Sequence, residues 1–256
     1  MKFLIAVAVS CITLTTFSQN PTSIWYFGEF AGLDFRMAPP LALLNGQLNS
    51  IDGESSATIS SDEGNLLFYT DGVSVYNRSH QPMQNGTNLW GHPSTTQTLI
   101  VPQPGNDSIF YIFTNSPQYN TFAGTDSVGC HYSIVNLANN NGLGAVIEKN
   151  TLLFKKTTEK VAAVHHVNGT DIWVVFHEWE SNCFRSYLVT AAGIEFPPVV
   201  SCIGSIHQGG GPAPGINENF NAAGQMKISS DGSLLALVLT DSRRVEVFFL
   251  TTKPAG

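Results

Sequence analysis

Positive charge is scarce in this sequence. Twelve Lys and Arg stand against 19 Asp and Glu in 256 residues, giving a formal net charge of -7 and a pI near 5.4. No basic stripe exists that could neutralise a phosphate backbone, which argues against a nucleic-acid partner. The same balance argues, more weakly, against an anionic membrane surface. Charge of either sign is sparse at 12%, so the exterior must be built from Asn, Ser, Thr and Gly, a neutral hydrogen-bonding surface of an extracytoplasmic kind. Several motifs are also missing. There is no CxxC for a zinc or thioredoxin-like site, no G-x-S-x-G, no H-E-x-x-H and no dense D-x-D-x-D loop. The glycine-rich stretch Gly209–Gly215 is not followed by a Lys-Ser/Thr, so it is not a phosphate loop.

No apolar run is long enough to span a membrane as a helix. Phe3–Leu14 comes nearest and is too short. With Lys2 before it and Thr15-Thr16-Phe17-Ser18-Gln19 after it, this segment has the order of a signal peptide cleaved near Gln19. Residues 1–19 are thus read as a leader and 20–256 as one domain. Cys11 raises the lipoprotein alternative, but Ala8-Val9-Ser10-Cys11 is a poor lipobox. Cysteine is scarce as well: Cys130, Cys183 and Cys202 remain after the leader, an odd number that leaves at least one thiol unpaired. Cys183 and Cys202 are close enough in sequence to be bridged across neighbouring strands in an oxidising compartment. The competing reading is that all three are buried apolar side chains.

What the chain does have is repetition. Ser60-Ser61-Asp62-Glu63-Gly64-Asn65-Leu66-Leu67-Phe68-Tyr69 is echoed by Ser229-Ser230-Asp231-Gly232-Ser233-Leu234-Leu235-Ala236-Leu237. Looser copies lie between them at Gly105–Phe113 and Asn168–Phe176. Each is a polar turn feeding an apolar run of strand length. A turn-then-strand unit recurring every ~40–60 residues predicts an all-β, β-propeller-like fold with WD40/YVTN-like meander blades. No helix is expected after the leader. The strands add up to roughly four blades, which means a minimal closed ring or one incomplete at its C-terminal side.

Loops 80–93, 115–129 and 203–223 are the expected display surfaces. Trp90, in a polar loop, is the best residue for stacking on a sugar, whereas Trp25 and Trp173 lie in apolar strands and read as core. The ligand-binding candidates are Trp90, His92, His177 and Trp179. A zinc reading of His165, His166, His177 and Glu178 fails on geometry. Adjacent strand residues face opposite ways, and His165 should pair nearer Ile172 than His177 across the Asn168-Gly169 turn. Glu178 and Glu180 also face opposite ways, which disfavours a glycosidase carboxylate pair. Asp62, Glu63, Asp71 and Asp231 read as turn formers rather than Ca²⁺ ligands. The N-glycosylation-like triplets at Asn77, Asn85, Asn106 and Asn168 also read as turns. No catalytic residue, metal or cofactor is expected.

Wording adds a resemblance. Trp25-Tyr26-Phe27-Gly28 with Ala31-Gly32-Leu33-Asp34-Phe35 is similar to the opening of a group of secreted Bacteroidetes surface proteins. In these a leader precedes a propeller-like region, and a gliding-motility-associated, type IX secretion sorting domain usually follows. Leu66–Gly72, Met83–Gly86, Ser94–Thr98, Glu148–Asn150, Trp173–Val175 with His177, and Val199–Ser201 with Gly204 follow the same order. The resemblance covers about residues 20–240. It implies a secreted or cell-surface location and a role in adhesion or surface organisation, and it carries no catalytic residues. The chain stops before a sorting domain, so a periplasmic location is expected if that domain is truly absent. The expectation is a non-enzymatic module binding a surface glycan or protein. The alternatives are a propeller-based glycan hydrolase or lyase, and a structural fragment of a larger surface protein.

Overall fold

The structure is a computed structural model that describes residues 20–48, 55–92, 95, 97–117, 128–211 and 219–250. Residues 1–19, expected to be a leader, lie outside the described residues, as do 118–127 of the loop expected at 115–129 and 212–218 of the loop expected at 203–223. Among those described there is no α-helix, and strands are joined by turns and three short 3-10 segments. Five antiparallel sheets follow one another along the chain, and none closes into a barrel. The first holds β1 (Ile24–Phe27), β2 (Ala31–Asp34) and β3 (Leu41–Leu43). The second holds β4 (Ala57–Ser60), β5 (Leu66–Thr70) and β6 (Val75–Asn77). The third is β7 (Leu99–Pro102), β8 (Ile109–Asn115), β9 (Cys130–Asn136) and β10 (Ala145–Phe154). The fourth is β11 (Thr157–His165), β12 (Ile172–Glu178), β13 (Ser181–Thr190) and β14 (Gly193–Ile194), with β15 (Val199–His207) also paired to β13. The fifth is β16 (Met226–Ile228), β17 (Leu234–Leu239) and β18 (Arg244–Phe249).

Two of the apolar runs noted in the sequence, in β8 and β12, contribute to a core on both faces. In β8, Phe110 and Ile112 join Phe68, Val75, Met83 and Leu89 of the second-sheet region, while Tyr111 and Phe113 join Val161, Val174, Phe176 and Tyr187 of the fourth sheet. In β12, Val174 and Phe176 face the third sheet, and Val175 faces Met226, Leu235 and Leu237 of the fifth. Side chains alternate along a strand, so a strand between two sheets needs apolar residues at every position. The first sheet packs on the second through Ile24, Tyr26, Leu48 and Tyr69. Each neighbouring pair of sheets therefore shares one core cluster.

The leading strands of successive sheets are also neighbours: β1 packs on β4, β4 on β7, β7 on β11, and β11 on β16. Polar groups knit this line. Tyr26 N donates to Thr58 Oγ1 at 2.9 Å. Buried Gln97, just before β7, receives Met226 N (2.9 Å) and Val161 N (3.3 Å) at Oε1 and donates through Nε2 to Met226 O (3.1 Å). One amide side chain thus ties the leading strands of the third, fourth and fifth sheets.

The repeated phrases fold alike. Gly64 N donates to Ser61 O at 2.8 Å, and Gly232 N donates to Ser229 O at 2.9 Å. The hairpins then close through Ser61 N to Asn65 O and Ser229 N to Leu234 O. The strands assemble into five sheets rather than the expected four groups, and β3, β10 and β15 are poorly marked in the sequence. β3 follows Pro39-Pro40. β10 is an edge strand with polar Glu148-Lys149-Asn150 at its centre and three register shifts against β9. β15 overlaps the segment read as the 203–223 loop and is mostly exposed.

Candidate binding cleft

A cleft of about 360 Å³ opens between the first two sheets. β1 contributes Ile24 and Tyr26, the end of β2 gives Asp34 with Arg36 just beyond, and β3 leads to Leu43 and Asn45. The second sheet supplies Asn65 and Leu66 at the start of β5, then Arg78 and His80 after β6. The last two are placed by an Asx turn. Asn77 Oδ1 accepts Ser79 N (2.8 Å) and Gln81 N (3.3 Å), and His80 takes a left-handed φ of 58°.

A hydrogen-bond chain organises the inner wall. Tyr26 Oη donates to Asn45 Oδ1 at 2.9 Å, which leaves the Asn45 amide nitrogen facing His80 Nε2 at 2.9 Å. An amide nitrogen only donates, so His80 Nε2 must accept and its ring proton sits on Nδ1, 3.1 Å from Tyr69 Oη. Burial pushes the His80 pKa below the usual histidine value and raises those of Tyr26 and Tyr69. The inner wall is therefore neutral at pH 7. Asp34 accepts from Arg36 through Nε (2.9 Å) and Nη2 (2.6 Å), and that pairing holds its carboxyl below the usual carboxylate range. Ile24, Leu43 and Leu66 make the apolar side of the cleft. Arg78 is exposed and has no hydrogen-bond or ion-pair partner among the described residues.

The residues singled out from the sequence do not gather here. Trp90 is 36% exposed, with its indole edge-on to His131 at 5.2 Å and its backbone held by Asn150 Oδ1. His92 lies beside it in the chain, partly exposed, its carbonyl accepting from Thr95. His177 is fully buried and Trp179 is only 7% exposed, so neither offers a face to a ligand. His177 donates from Nδ1 to Glu178 O (2.7 Å) and stacks on His207. His165 pairs with Ile172, as the turn predicts, and His166 lies against Trp173. No three His, Cys, Asp or Glu among the described residues converge to hold a metal ion. Cys183 and Cys202 face each other on β13 and β15 and are disulfide-bonded, while Cys130 is a buried free thiol.

In the sequence Arg78 reads as part of a turn triplet and His80 as the first residue of the 80–93 loop, while nothing singles out Arg36. Their signal lay in the scarcity of cations: in a chain with twelve Lys and Arg, two arginines beside one another's sheets are conspicuous only once the sheets are stacked.

No family model matches the chain, and no curated protein matches it. Among solved structures, hydrazine synthase of Kuenenia stuttgartiensis aligns with a TM-score of 0.39 at 10% identity, covering 86% of this chain and 58% of that one. At that level of similarity the alignment bears on neither fold nor function. The chain spans little more than half the length of that structure's chain.

Proposed function

We propose that this chain is an exported, non-enzymatic, β-propeller-like module that binds a glycan or protein at the cell surface. The observation that carries the reading is the cleft between the first two sheets, a concave site with an apolar side, a polar rim and an inner wall pre-arranged by hydrogen bonds. The radial-blade reading is supported by five consecutive meanders whose leading strands pack on one another in order. The leader-like segment, the neutral surface and the Cys183–Cys202 bridge support export. The enzyme alternative is disfavoured because the cleft holds one carboxylate, Asp34, already committed to Arg36, so the acid–base pair that glycoside hydrolysis requires is not there.

The structural-segment reading has its own observation. The outer faces of the terminal sheets carry exposed apolar side chains, Trp25 and Leu44 on one side and Val245, Val247 and Phe249 on the other. The test of the binding reading is a glycan panel on the exported chain, run beside an Asn65→Trp variant that fills the cleft from an exposed position. Binding lost in the variant supports the cleft as the site; binding unchanged removes it.

A further inference from the structure

Resting on the binding reading above, we infer that the cleft between the first two sheets takes a single pyranose ring bearing one carboxylate, a hexuronate, with Arg78 as its anchor. Size comes first. At about 360 Å³ the cleft is at the small end of the ~300–1,000 Å³ range of ligand sites, which suits one ring rather than an extended chain.

Charge comes second. Asp34 and Arg36 neutralise each other through two short hydrogen bonds. His80 is uncharged, because the Asn45 amide occupies its Nε2 as a donor. Arg78 then leaves one uncompensated positive charge on the rim, which calls for a ligand with one negative charge. A guanidinium fork matches a planar carboxylate by two parallel hydrogen bonds. Gly142 of a neighbouring turn gives this side chain room: a Cβ there would come within 3.3 Å of Arg78 Nη2.

The two sides of the cleft complete the match. Ile24, Leu43 and Leu66 present an apolar surface, and the amides of Asn45 and Asn65 line the polar side. Asn65 uses its backbone in the Ser61 turn, and its side-chain amide has no partner among the described residues. A pyranose has this double character, with an apolar C–H face and hydroxyls that both donate and accept.

The experiment titrates the exported chain with glucuronate and with glucose, followed by calorimetry and by NMR shifts, for wild type, Arg78→Gln and Asn65→Trp. Glucuronate should saturate wild type and bind about tenfold or more tightly than glucose, the size expected for a charge-assisted pair. Arg78→Gln should bind glucuronate no better than glucose, at an unchanged melting temperature because Arg78 is exposed. Added salt should weaken glucuronate and leave glucose unaffected. Equal affinities for the two sugars, or wild-type glucuronate affinity in Arg78→Gln, overturn the carboxylate assignment. If glucose alone saturates the chain and Asn65→Trp abolishes it, the binding reading stands and the hexuronate falls. If neither sugar binds, the hexuronate falls, and if the wider glycan panel is also blank, the glycan half of the binding reading falls with it.

Discussion

His177 and His207 lie face to face, 3.6 Å between ring centroids, with both side chains fully buried. They reach each other from β12 and β15, across β13, which pairs with both. His177 Nδ1 spends its proton on Glu178 O, so its Nε2 carries none, and a proton there would sit beside another buried ring. Burial, then the neighbouring His207, hold the His177 pKa down to about 3. Burial, then the positive charges of Lys160 and Arg244, hold His207 at about 3. The Glu246 carboxylate, 3.6 Å from His207 Nε2 and also engaged by Ser205 and Arg244, is the acidic group facing the pair.

Acid should therefore destabilise this chain well above carboxylate pH. An unfolded histidine titrates near 6.5. Between about 6.5 and 3 the unfolded chain binds more protons than the folded one, so stability is full above 6.5 and falls as pH drops, levelling near 3. Each histidine contributes about 1.4 kcal/mol per pH unit, or about 2 kcal/mol by pH 5. Urea unfolding at pH 7 and pH 5 measures it, and His207→Phe should flatten the slope. Equal stability at the two pH values contradicts the buried neutral pair.

Lys160 should be indispensable to the junction of the fourth and fifth sheets. Its side chain is fully buried, and Nζ donates to the carbonyls of Asn221 (2.9 Å), Ala222 (2.8 Å) and Ala223 (2.9 Å). Burial pushes its pKa down to about 7, yet three acceptors need three N–H groups, which only the ammonium form supplies. Lys160→Met keeps the stem and removes the donors. The cost should be about 3 kcal/mol or more, from buried carbonyls left unpaired. Denaturant unfolding gives the size, and faster amide exchange at residues 219–223 gives the place.

Two glycines with positive φ should respond differently to replacement. Gly169 (φ 75°) has nothing within 4 Å of an added Cβ, whereas at Gly72 (φ 86°) the Cβ would come 2.6 Å from Thr98 Oγ1. Gly169→Ala should cost only the left-handed backbone penalty, about 1–2 kcal/mol. Gly72→Ala should cost more, because Thr98 is buried and its hydroxyl is held by Ser55. Melting temperatures of the two variants order them, and a larger loss at Gly169 is the contrary result.

The Cys183–Cys202 bridge closes a loop with a sequence separation of 19. Chain-entropy reasoning assigns such a loop about 3 kcal/mol. The Cys183→Ser, Cys202→Ser double variant should unfold at correspondingly lower urea concentration, and reductant should affect the wild type alone. Insensitivity of the wild type to reductant contradicts a contribution from the bridge.

Strand content was legible because the patterns are local. The Ser-Asp-Gly turns need only their own few residues, and Asn168 Oδ1 accepts Thr170 N and Asp171 N within the turn itself. The facing of His165 and Ile172 follows from that turn alone. The edges were less legible. β10 is an edge strand whose central Glu148-Lys149-Asn150 breaks any apolar pattern, and β3 is marked by little more than Leu41 and Leu43. Among the binding candidates, Trp90 keeps partial exposure, but His177 and Trp179 are buried by strands distant in sequence.

By itself, then, the chain's order of residues determined that it would be all-β, where most hairpins turn, and that Cys183 and Cys202 could meet, since each depends on spacing and turn chemistry within a short span. Only the tertiary structure decided which surfaces stack. Arg36 and Arg78 are 42 positions apart in the numbering and become rim neighbours because the first sheet packs on the second through Ile24, Tyr26 and Tyr69. His177 and His207 become one buried pair because β12 and β15 flank β13 in the fourth sheet, a pairing no local pattern specifies. Packing between sheets is a property of summed apolar faces, and no local pattern encodes which face meets which.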